Sequence, residues 1–243
     1  MSTIRFLLIS SSFLFTVIIF FIRDPGVVQK NNAPQVHITS PNNSDRYAWN
    51  TVMPYTVTVS DKEDGESKYG EIPAAEIFLE LRYFPDPING ALFVRSTQKE
   101  PAGFSAIRKQ DCFNCHTVHS KLIGPSFSDI SGRYKTLPDV AALASHIIKG
   151  STGIWGAAMM PTHPDLSEKE AQLIVQWIIE NTNDPDVDYF RGGEGSLRVR
   201  PSPNATADGV FVLKATYADH GIDNLPSSSL MGQDVISLNL KNN

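Results

Sequence analysis

The sequence predicts a multidomain α + β protein, in which an all-α domain is inserted in an all-β sandwich behind an N-terminal membrane segment. Three observations predict this fold class. Strand-like alternation occurs near both ends of the 243-residue chain, helical periodicity fills its middle, and an apolar run stands at its start. The predicted segments are residues 1–33 (membrane segment and linker), 34–95 (first half of the sandwich), 96–194 (helical domain) and 195–243 (second half).

The apolar run FLLISSSFLFTVIIFFI, residues 6–22, has the length of a short membrane span. No small-x-small cleavage site follows it, which favours an uncleaved anchor over a cleaved signal peptide. The basic Arg5 before the run indicates an N-terminus inside the cell. We therefore expect the rest of the chain in the bacterial periplasm or cell envelope, anchored in the inner membrane.

Three segments before the helical region alternate apolar and polar residues as strands do. They are QVHITS, YTVTVS and EIFLELRY, and three more segments follow that region: SLRVR, GVFVLKATYAD and DVISLNL. A small sheet needs a cover over its apolar face, so we expect both sets of strands to build one sandwich. Two separate β units flanking the helical domain are the alternative.

Two segments of the middle region carry apolar stripes at helical spacing. In TLPDVAALASHIIKG, Thr136 and Asp139 are spaced as a capping box, and in LSEKEAQLIVQWIIEN the same relation joins Ser167 and Glu170. A weaker helical stretch, AGFSAIRKQDC, leads into the cysteines. Trp177, in the last of the long helices, is expected in the core.

The charge of the chain argues against one class of partner. The net charge is −5, whereas a surface that binds phosphates needs concentrated Lys and Arg, so nucleic acid is not expected as a partner. Four acidic side chains occur close together in one predicted turn: Asp61, Glu63, Asp64 and Glu66. Their oxygens could bind calcium. A solvated turn is the commoner role of such a run, and it is the one we expect.

The only two cysteines, Cys112 and Cys115, occur in the stretch DCFNCHTV with His116 directly after the second. A redox-active dithiol has this spacing but belongs in a thioredoxin-like βαβ setting, which the sequence does not show. A zinc site needs further ligands at set spacing, and a disulfide would close too short a loop to add much stability. Covalent attachment of haem, with the imidazole reaching the iron, is the favoured interpretation.

The loop GIWGAAMMPTHP offers candidates for a second axial ligand. A methionine thioether is a soft, neutral ligand, and a His/Met pair fills both axial positions and raises the haem potential. Met159 and Met160 both stand shortly before a proline, where filling of the core is the alternative role. His163, three residues further on, would instead give bis-histidine ligation.

Together these patterns resemble class I cytochromes c of the small bacterial type. The resemblance covers about residues 100–182 and is carried by DCFNCHTV, KLIGPSF, RY, GIWGAAMMP and a closing amphipathic helix. It implies that Cys112 and Cys115 are thioether anchors of one covalent haem c. It also implies that His116 is the proximal ligand.

The resemblance extends to the distal side. Alignment on the Trp-Gly and the following proline of the loop puts Met160 at the family's ligand position, so the implied metal ligands are His116 and Met160. Met159 replaces a proline of the family pattern. The family's Gly-Pro element matches KLIGPSF, which implies that the carbonyl oxygen of Pro125 accepts the Nδ1–H of His116. Trp155 is similar to a tryptophan that the family places at the haem edge, near a propionate.

For the whole chain, the resemblance implies single-electron transfer through a His/Met-ligated haem c, with no enzymatic activity. The expected partner is an exported redox protein, a dehydrogenase or an oxidase. The terminal β segments resemble the PKD or immunoglobulin-like modules of bacterial exported proteins. Two alternatives are a haem-based sensor or peroxidase-like enzyme with a dissociable sixth ligand, and a glycan-binding or adhesion module with an accessory haem.

Overall fold

The computed structural model describes residues 30–96, 99–134, 139–222 and 228–241. The predicted membrane segment, residues 6–22, lies outside these ranges, as does Thr136 of the first predicted capping box. Among the helices that are described, none combines the length and the apolar character needed to cross a bilayer. All the elements described below belong to the unit Asn31–Asn243.

Strands lie on both sides of the helical region, and two short strands lie within it. They are β1 (Gln35–Ser40), β2 (Arg46–Tyr47), β3 (Val52–Asp61), β4 (Gly65–Glu66), β5 (Phe78–Phe84), β6 (Ser151–Gly153), β7 (Gly156–Met160), β8 (Val187–Arg191), β9 (Glu194–Arg198), β10 (Val210–Ala218) and β11 (Met231–Leu240). The helices are α1 (Pro87–Arg95), α2 (Ala102–Arg108), α3 (Phe127–Tyr134), α4 (Val140–Lys149) and α5 (Glu168–Asn181).

Strands from both ends of the chain pair within the same sheets. In one sheet, β3 pairs with β1, β4 and β9, and in the other the strand order is β2–β11–β10–β5–β8. The register sets Tyr55 opposite Gly195 in the first sheet and Leu81 opposite Leu213 in the second. Both sheets therefore contain strands from the two ends of the chain, which favours one sandwich over two separate β units.

The alternating residues that predicted the strands form the core between these two sheets. Both sheets contribute to one buried apolar cluster, which includes Ile38, Tyr55, Val57, Val59, Leu79, Leu81, Tyr83, Phe211, Leu213, Ala215, Tyr217 and Leu238. Because the cluster fills the space between the inner faces, the two sheets stack as a sandwich.

Some elements escape prediction from local patterns. Strand β8 lies within the segment predicted as the helical domain, residues 96–194, yet it pairs with β5 and sets Asp188 opposite Leu81. The sheet therefore resumes before residue 195. Helix α1 follows β5 closely and is capped by Asp86, whose carboxylate accepts the N–H of Ile88 at 2.9 Å. Helix α3 is also absent from the prediction, because its eight residues include Gly and two Ser and give no long apolar stripe.

Helix α5 is the centre of the helical region and packs against α2, α3 and α4. Its predicted capping box is confirmed, because the Ser167 side chain accepts the N–H of Glu170 and the Glu170 carboxylate accepts the N–H of Ser167. Trp177 is buried in the helical core, as predicted. Helix α4 is capped by Asp139, whose carboxylate accepts the N–H of Ala142 at 2.9 Å.

Strand β5 connects the two cores because both of its faces are buried. Leu79 and Leu81 point into the sandwich, whereas Phe78 belongs to the apolar cluster of the helical region. There the Phe78 ring meets Phe104 of α2 edge to face, with 5.6 Å between the ring centroids. The guanidinium of Arg108, at the end of α2, lies 4.4 Å from the centroid of Phe78. The helical region is thus packed directly on the outer face of the second sheet.

Candidate functional site

A single cleft in the helical region brings the predicted site residues together. Its empty space, open mouth included, is about 1270 Å³. The predicted residues that line it are Cys112, Cys115, His116, Pro125, Trp155 and Met160. Its other walls come from α3, α4 and α5 and are mainly apolar: Phe127, Ile130, Leu143, Ile147, Ile174, Val175, Ile178 and Ile179. Such a cleft suits a large apolar ligand that is held by a few polar groups.

A short 3₁₀ turn, Cys112–Asn114, sets the two cysteines on one side of the cleft. The N–H groups of Cys115 and His116 both donate to the carbonyl oxygen of Cys112, at 3.2 and 3.0 Å. Both thiols are free, so the disulfide alternative does not hold. Burial raises the pKa of the Cys112 thiol to about 11, so this thiol is neutral at pH 7. A thiol that stays protonated is a poor metal ligand, because metals bind the thiolate.

The imidazole of His116 is fixed by its neighbours. Its Nδ1 lies 2.7 Å from the carbonyl oxygen of Pro125. Because a carbonyl can only accept, Nδ1 carries the proton, and a neutral ring then leaves the lone pair on Nε2. Burial lowers the pKa of His116, which favours the neutral ring. His116 therefore has the tautomer that a metal ligand at Nε2 requires.

Two further residues hold the plane of this ring. Phe127 of α3 stacks on the imidazole, with 5.2 Å between ring centroids and 17° between the planes. On another side, a methyl group added to Gly124 would overlap the His116 ring, so only glycine leaves room there. The Gly124 N–H donates to the carbonyl oxygen of Cys115 at 2.9 Å, which ties this loop to the cysteine turn.

The methionine loop is a two-stranded hairpin of β6 and β7, where a loop was expected. Its small residues, Gly-Ala-Ala, give no strand-like alternation, which explains the difference. Gly153 and Gly156 face each other across the turn, and both have positive φ, +80° and +106°. Met160 pairs with Ser151 and packs against the helical core, whereas the side chain of Met159 is 70% exposed. The hairpin therefore favours Met160 over Met159 as an inward-facing thioether.

His163 also lines the cleft. Its side chain is 11% exposed, and its Nδ1 lies 3.7 Å from a carboxylate oxygen of Asp111, the residue before Cys112. Two further histidines occur in the helical region. His119 is turned to the sandwich strand β8, with its Nε2 2.7 Å from the carbonyl oxygen of Val187, and His146 lines the cleft from α4 but is exposed. His163 is therefore the histidine that competes with Met160 for the second axial position.

Trp155 stands at the turn of the hairpin beside a cation that the sequence reasoning missed. Arg133 of α3 lies 4.8 Å from the centroid of the Trp155 ring and donates to the carbonyl oxygen of Ile154 at 3.1 Å. Only the proximity of α3 to the hairpin reveals this contact, and the sequence prediction lacks α3. Trp155 lines the cleft, and Arg133 adds a positive charge behind the indole ring, a combination suited to a carboxylate.

The donor set fits a covalently bound haem. Two free thiols three residues apart, an imidazole with its lone pair on Nε2 and a half-buried thioether all line one apolar cleft. A zinc site finds no support, because across the described ranges no three His, Cys, Asp or Glu side chains stand together as a metal centre.

Comparison with known proteins agrees with this fit. Residues 100–178 match the family model described as cytochrome c oxidase, cbb3-type, subunit III. Cytochrome c-551 of Ectopseudomonas mendocina is 37% identical over 79 residues, which are 32% of this chain and 95% of that protein. Cytochrome c-552 of Nitrosomonas europaea is 37% identical over 73 residues, 30% of this chain and 71% of that protein. The crystal structure of wild type Nitrosomonas europaea cytochrome c552 aligns with 31% of this chain at 35% identity and a TM-score of 0.30.

The fold and the cleft define a c-type cytochrome with additional β structure. Through residues 100–178, the chain belongs to the family of class I monohaem cytochromes c. It carries one covalently bound haem c in that segment.

Proposed function

We propose that the chain transfers single electrons through one haem c, with His116 and Met160 as the axial ligands, and that it is not an enzyme. The observation that carries the proposal is the arrangement of the two side chains in one cleft. His116 is fixed by Pro125 with Nε2 unprotonated, and Met160 lies on the hairpin and packs against the core. Two filled axial positions leave no site for a substrate at the iron.

The protein's own contribution is to hold and shield the cofactor. When bound, the haem supplies an iron that accepts and releases one electron. Cys112 and Cys115 would bond it covalently, and the carbonyl oxygen of Pro125 keeps the His116 ring in one orientation. The apolar walls from α4 and α5 exclude water and disfavour the extra charge of ferric iron.

The mouth of the cleft supports docking of a redox partner. Ile123 and Met159 line the cleft and are 56% and 70% exposed, so an apolar surface lies where an electron would leave. We propose as partner an exported dehydrogenase or oxidase, in the periplasm or cell envelope. Residues 6–22 would anchor the chain in the inner membrane.

We also propose that the helical part of residues 96–194, which ends before β8, is a cytochrome domain inserted in a sandwich of the PKD or immunoglobulin-like type. The pairing of β3 with β9 and of β5 with β8 and β10 supports it, because in each pair the strands lie on opposite sides of the helical region. Insertion of a domain in a loop is tolerated where its two ends lie close together.

The ligand assignment is tested with the substitution Met160→Ala in haem-loaded protein from an export-competent host. We expect loss of the near-infrared methionine–iron band and a reduction potential lower by on the order of 0.1 V, because the axial ligand is a main determinant of the potential. Met159→Ala is the matched control, and it should keep both the band and the potential. His163→Ala should keep them too.

Two outcomes would contradict the proposal. Survival of the band in Met160→Ala would show that another group is the ligand, and its loss in His163→Ala would point to that imidazole. Rapid binding of carbon monoxide by the unmodified reduced protein would favour a sensor or a peroxidase-like enzyme with a dissociable ligand. A pyridine haemochrome spectrum of the same sample checks that both thioether bonds have formed.

A further inference from the structure

One end of the sandwich brings together three segments that are far apart in sequence. The chain ahead of β1 runs beside the turn after β3, because the antiparallel register sets Gln35 opposite Ser60. Asn32 donates from this segment to a carboxylate oxygen of Glu63 at 2.7 Å. Asn31 donates to a carboxylate oxygen of Asp219, directly after β10, at 2.9 Å. The cytochrome cleft shares none of these residues.

Three buried side-chain oxygens in these segments have no hydrogen-bond donor. They are Oδ1 of Asn31, Oδ2 of Asp61 and Oε2 of Glu63. Asn31 and Asp61 are only 9% and 8% exposed. A buried acceptor without a partner carries the full cost of its desolvation, and the cost is larger for a carboxylate. Three such oxygens in neighbouring segments indicate a missing positive partner.

The orientation of each oxygen is set by the other atoms of its own side chain. The amide nitrogen of Asn31 donates to Asp219 and to the carbonyl oxygen of Ser228, both of them acceptors, so its Oδ1 must point elsewhere. Oδ1 of Asp61 accepts the N–H groups of Glu63 and Asp64 at 2.8 Å, so Oδ2 is the oxygen without a donor. Oε1 of Glu63 accepts a hydrogen bond from the Asn32 amide, so Oε2 is the oxygen without a donor.

Two other acidic side chains nearby, of the part of the chain that the structure describes, already have partners. Asp219 accepts from Asn31 and from the N–H groups of Gly221 and Leu230. Asp64 accepts from the Tyr217 hydroxyl at 2.7 Å and from the N–H of His220 at 3.0 Å. Among the described residues at this end of the sandwich, the buried side-chain oxygens without a donor are those of Asn31, Asp61 and Glu63, and they are not a general feature of the acidic turn.

We propose that Asn31, Asp61 and Glu63 bind a calcium ion at this end of the sandwich. All three donors are hard oxygens, and two of them are anionic, so their charge balances a divalent cation. Calcium accepts six to eight oxygens in flexible geometry and can complete its shell with carbonyl oxygens and water, whereas transition metals prefer nitrogen or sulfur ligands. The site contains two carboxylates and an amide, which agrees with the absence, among the described residues, of any metal centre built from three His, Cys, Asp or Glu.

The burial of Asp61 departs from the solvated turn expected for the acidic run. Glu66 fits that expectation: its carboxylate is 40% exposed and pairs with Lys68 at 2.7 Å. Asp61 does not, because it is buried at the end of β3 with one oxygen unpaired. The four acidic residues look equivalent in the sequence, and only the segments carrying Asn31 and Asp219 distinguish them.

The test uses the full-length, haem-loaded protein after treatment with EDTA, titrated with calcium chloride and with magnesium chloride by calorimetry. We expect calcium to bind with a Kd of about 10⁻⁴–10⁻³ M, the range of extracellular modules, and to raise Tm. The substitutions Glu63→Gln and Asp61→Asn should each weaken binding at least about tenfold, because each removes one ligand charge. Glu66→Gln removes the same charge from the same turn and should leave the Kd unchanged.

The wild-type titration decides the proposal even where a variant fails to fold. Absence of heat and of any Tm shift up to about 10 mM calcium, well above the expected Kd range, would overturn it. Equal affinity for magnesium would overturn the assignment to calcium. An equal loss of calcium affinity in Glu66→Gln would show that calcium responds to the general charge of the turn, and it would overturn the assignment to Asp61 and Glu63. The absorption spectrum of the haem should not change in any of these titrations.

Discussion

The helical region and the β-sandwich differ in how far apart their interacting residues lie in sequence. At the cytochrome cleft the partners are close: His116 and Pro125, which share a hydrogen bond, are nine positions apart. At the sandwich end, Asn31 and Asp219 are 188 positions apart. A local constellation of residues can be read from a sequence, whereas a constellation assembled by long-range pairing cannot. The same acidic run that gave little information in the sequence becomes a specific candidate site in the structure.

The helical region and the sandwich meet at a junction around Arg108, and a substitution there tests whether the two regions are coupled. Arg108 ends α2, and its guanidinium pairs with Glu100 at 2.7 Å, with side chains only 6% and 14% exposed. The same guanidinium donates to the carbonyl oxygen and to the hydroxyl of Thr216 on β10, and to the carbonyl oxygen of Glu76. One buried cation thus connects the helical region to the second sheet.

The largest effect on stability is expected from Arg108→Leu. Removing one partner of a buried ion pair leaves Glu100 uncompensated, so the free energy of unfolding should fall by about 3–5 kcal/mol. Chemical denaturation followed by haem absorption and by far-ultraviolet circular dichroism measures the loss in both regions. Because Arg108 does not line the cleft, the native haem spectrum should stay the same.

Arg95→Leu is the matched control, since Arg95 is exposed on α1. Its effect should stay within about 0.5 kcal/mol, as is usual for surface substitutions. If Arg108→Leu costs no more than this control, the two regions are not coupled through the guanidinium. If haem absorption and circular dichroism report two separate unfolding transitions only in Arg108→Leu, the Arg108 junction is what makes the helical region and the sandwich unfold together.

The comparison also explains which parts of the fold could be predicted. The strands with apolar residues at every second position, such as β3 with Tyr55, Val57 and Val59, could be predicted, because the pattern itself records which face is buried. The pairing of β8 with β5 could not, because nothing in VDYFR identifies its partner. Helix α3 escaped for a related reason: its buried positions, Phe127 and Ser131, do not form an apolar stripe.

The residues of the cleft could likewise be predicted where they stand in a local sequence pattern, and not where distant segments bring them together. The cysteines, His116 and the methionines stand in recognisable local patterns, whereas Arg133 approaches Trp155 only through the packing of α3 against the hairpin. Gly124 lies between these two cases, because the sequence predicts its position but not its function. Its place before Pro125 is part of a recognisable pattern, but the reason for a glycine becomes visible only when the His116 ring is seen against it.

An intermediate effect is expected from Gly124→Ala. The added methyl group would overlap the His116 ring, and the strain should cost about 1–3 kcal/mol of stability, as overpacking in a core does. Under the proposed His116/Met160 ligation, a displaced ring would also alter the near-infrared methionine–iron band, which thermal denaturation alone would not reveal. Both measurements apply to the haem-loaded protein.

Gly132→Ala on α3 is the control for this substitution, because a methyl group there meets no atom within 4 Å. In a helix, alanine is favoured over glycine, so this variant should gain about 0.5–1 kcal/mol. An unchanged band and an unchanged Tm in Gly124→Ala would mean that the ring tolerates the methyl group, and that Gly124 does not fix it.

The smallest effect is expected from Ser167→Ala, at the most local interaction of the molecule. Loss of this N-cap should cost about 1 kcal/mol at neutral pH. Hydrogen bonds from the side chain and backbone of Ser167 lower the pKa of Glu170 below its ordinary value. A carboxyl whose pKa is lower in the folded state contributes stability above its unfolded pKa, and the contribution is lost as the pH falls through the folded pKa.

The difference in stability between wild type and Ser167→Ala should therefore be largest near neutral pH and shrink once Glu170 is protonated. Urea denaturation across the acidic range measures this difference. Ser145→Ala, inside α4, is the control: alanine is the better helix former there, so the change should be small and independent of pH. A difference that stays constant down to acidic pH would show that Ser167 acts without Glu170. The two halves of the capping box, three positions apart, would then not be coupled, and even the shortest-range pattern in the chain would have predicted geometry without predicting energy.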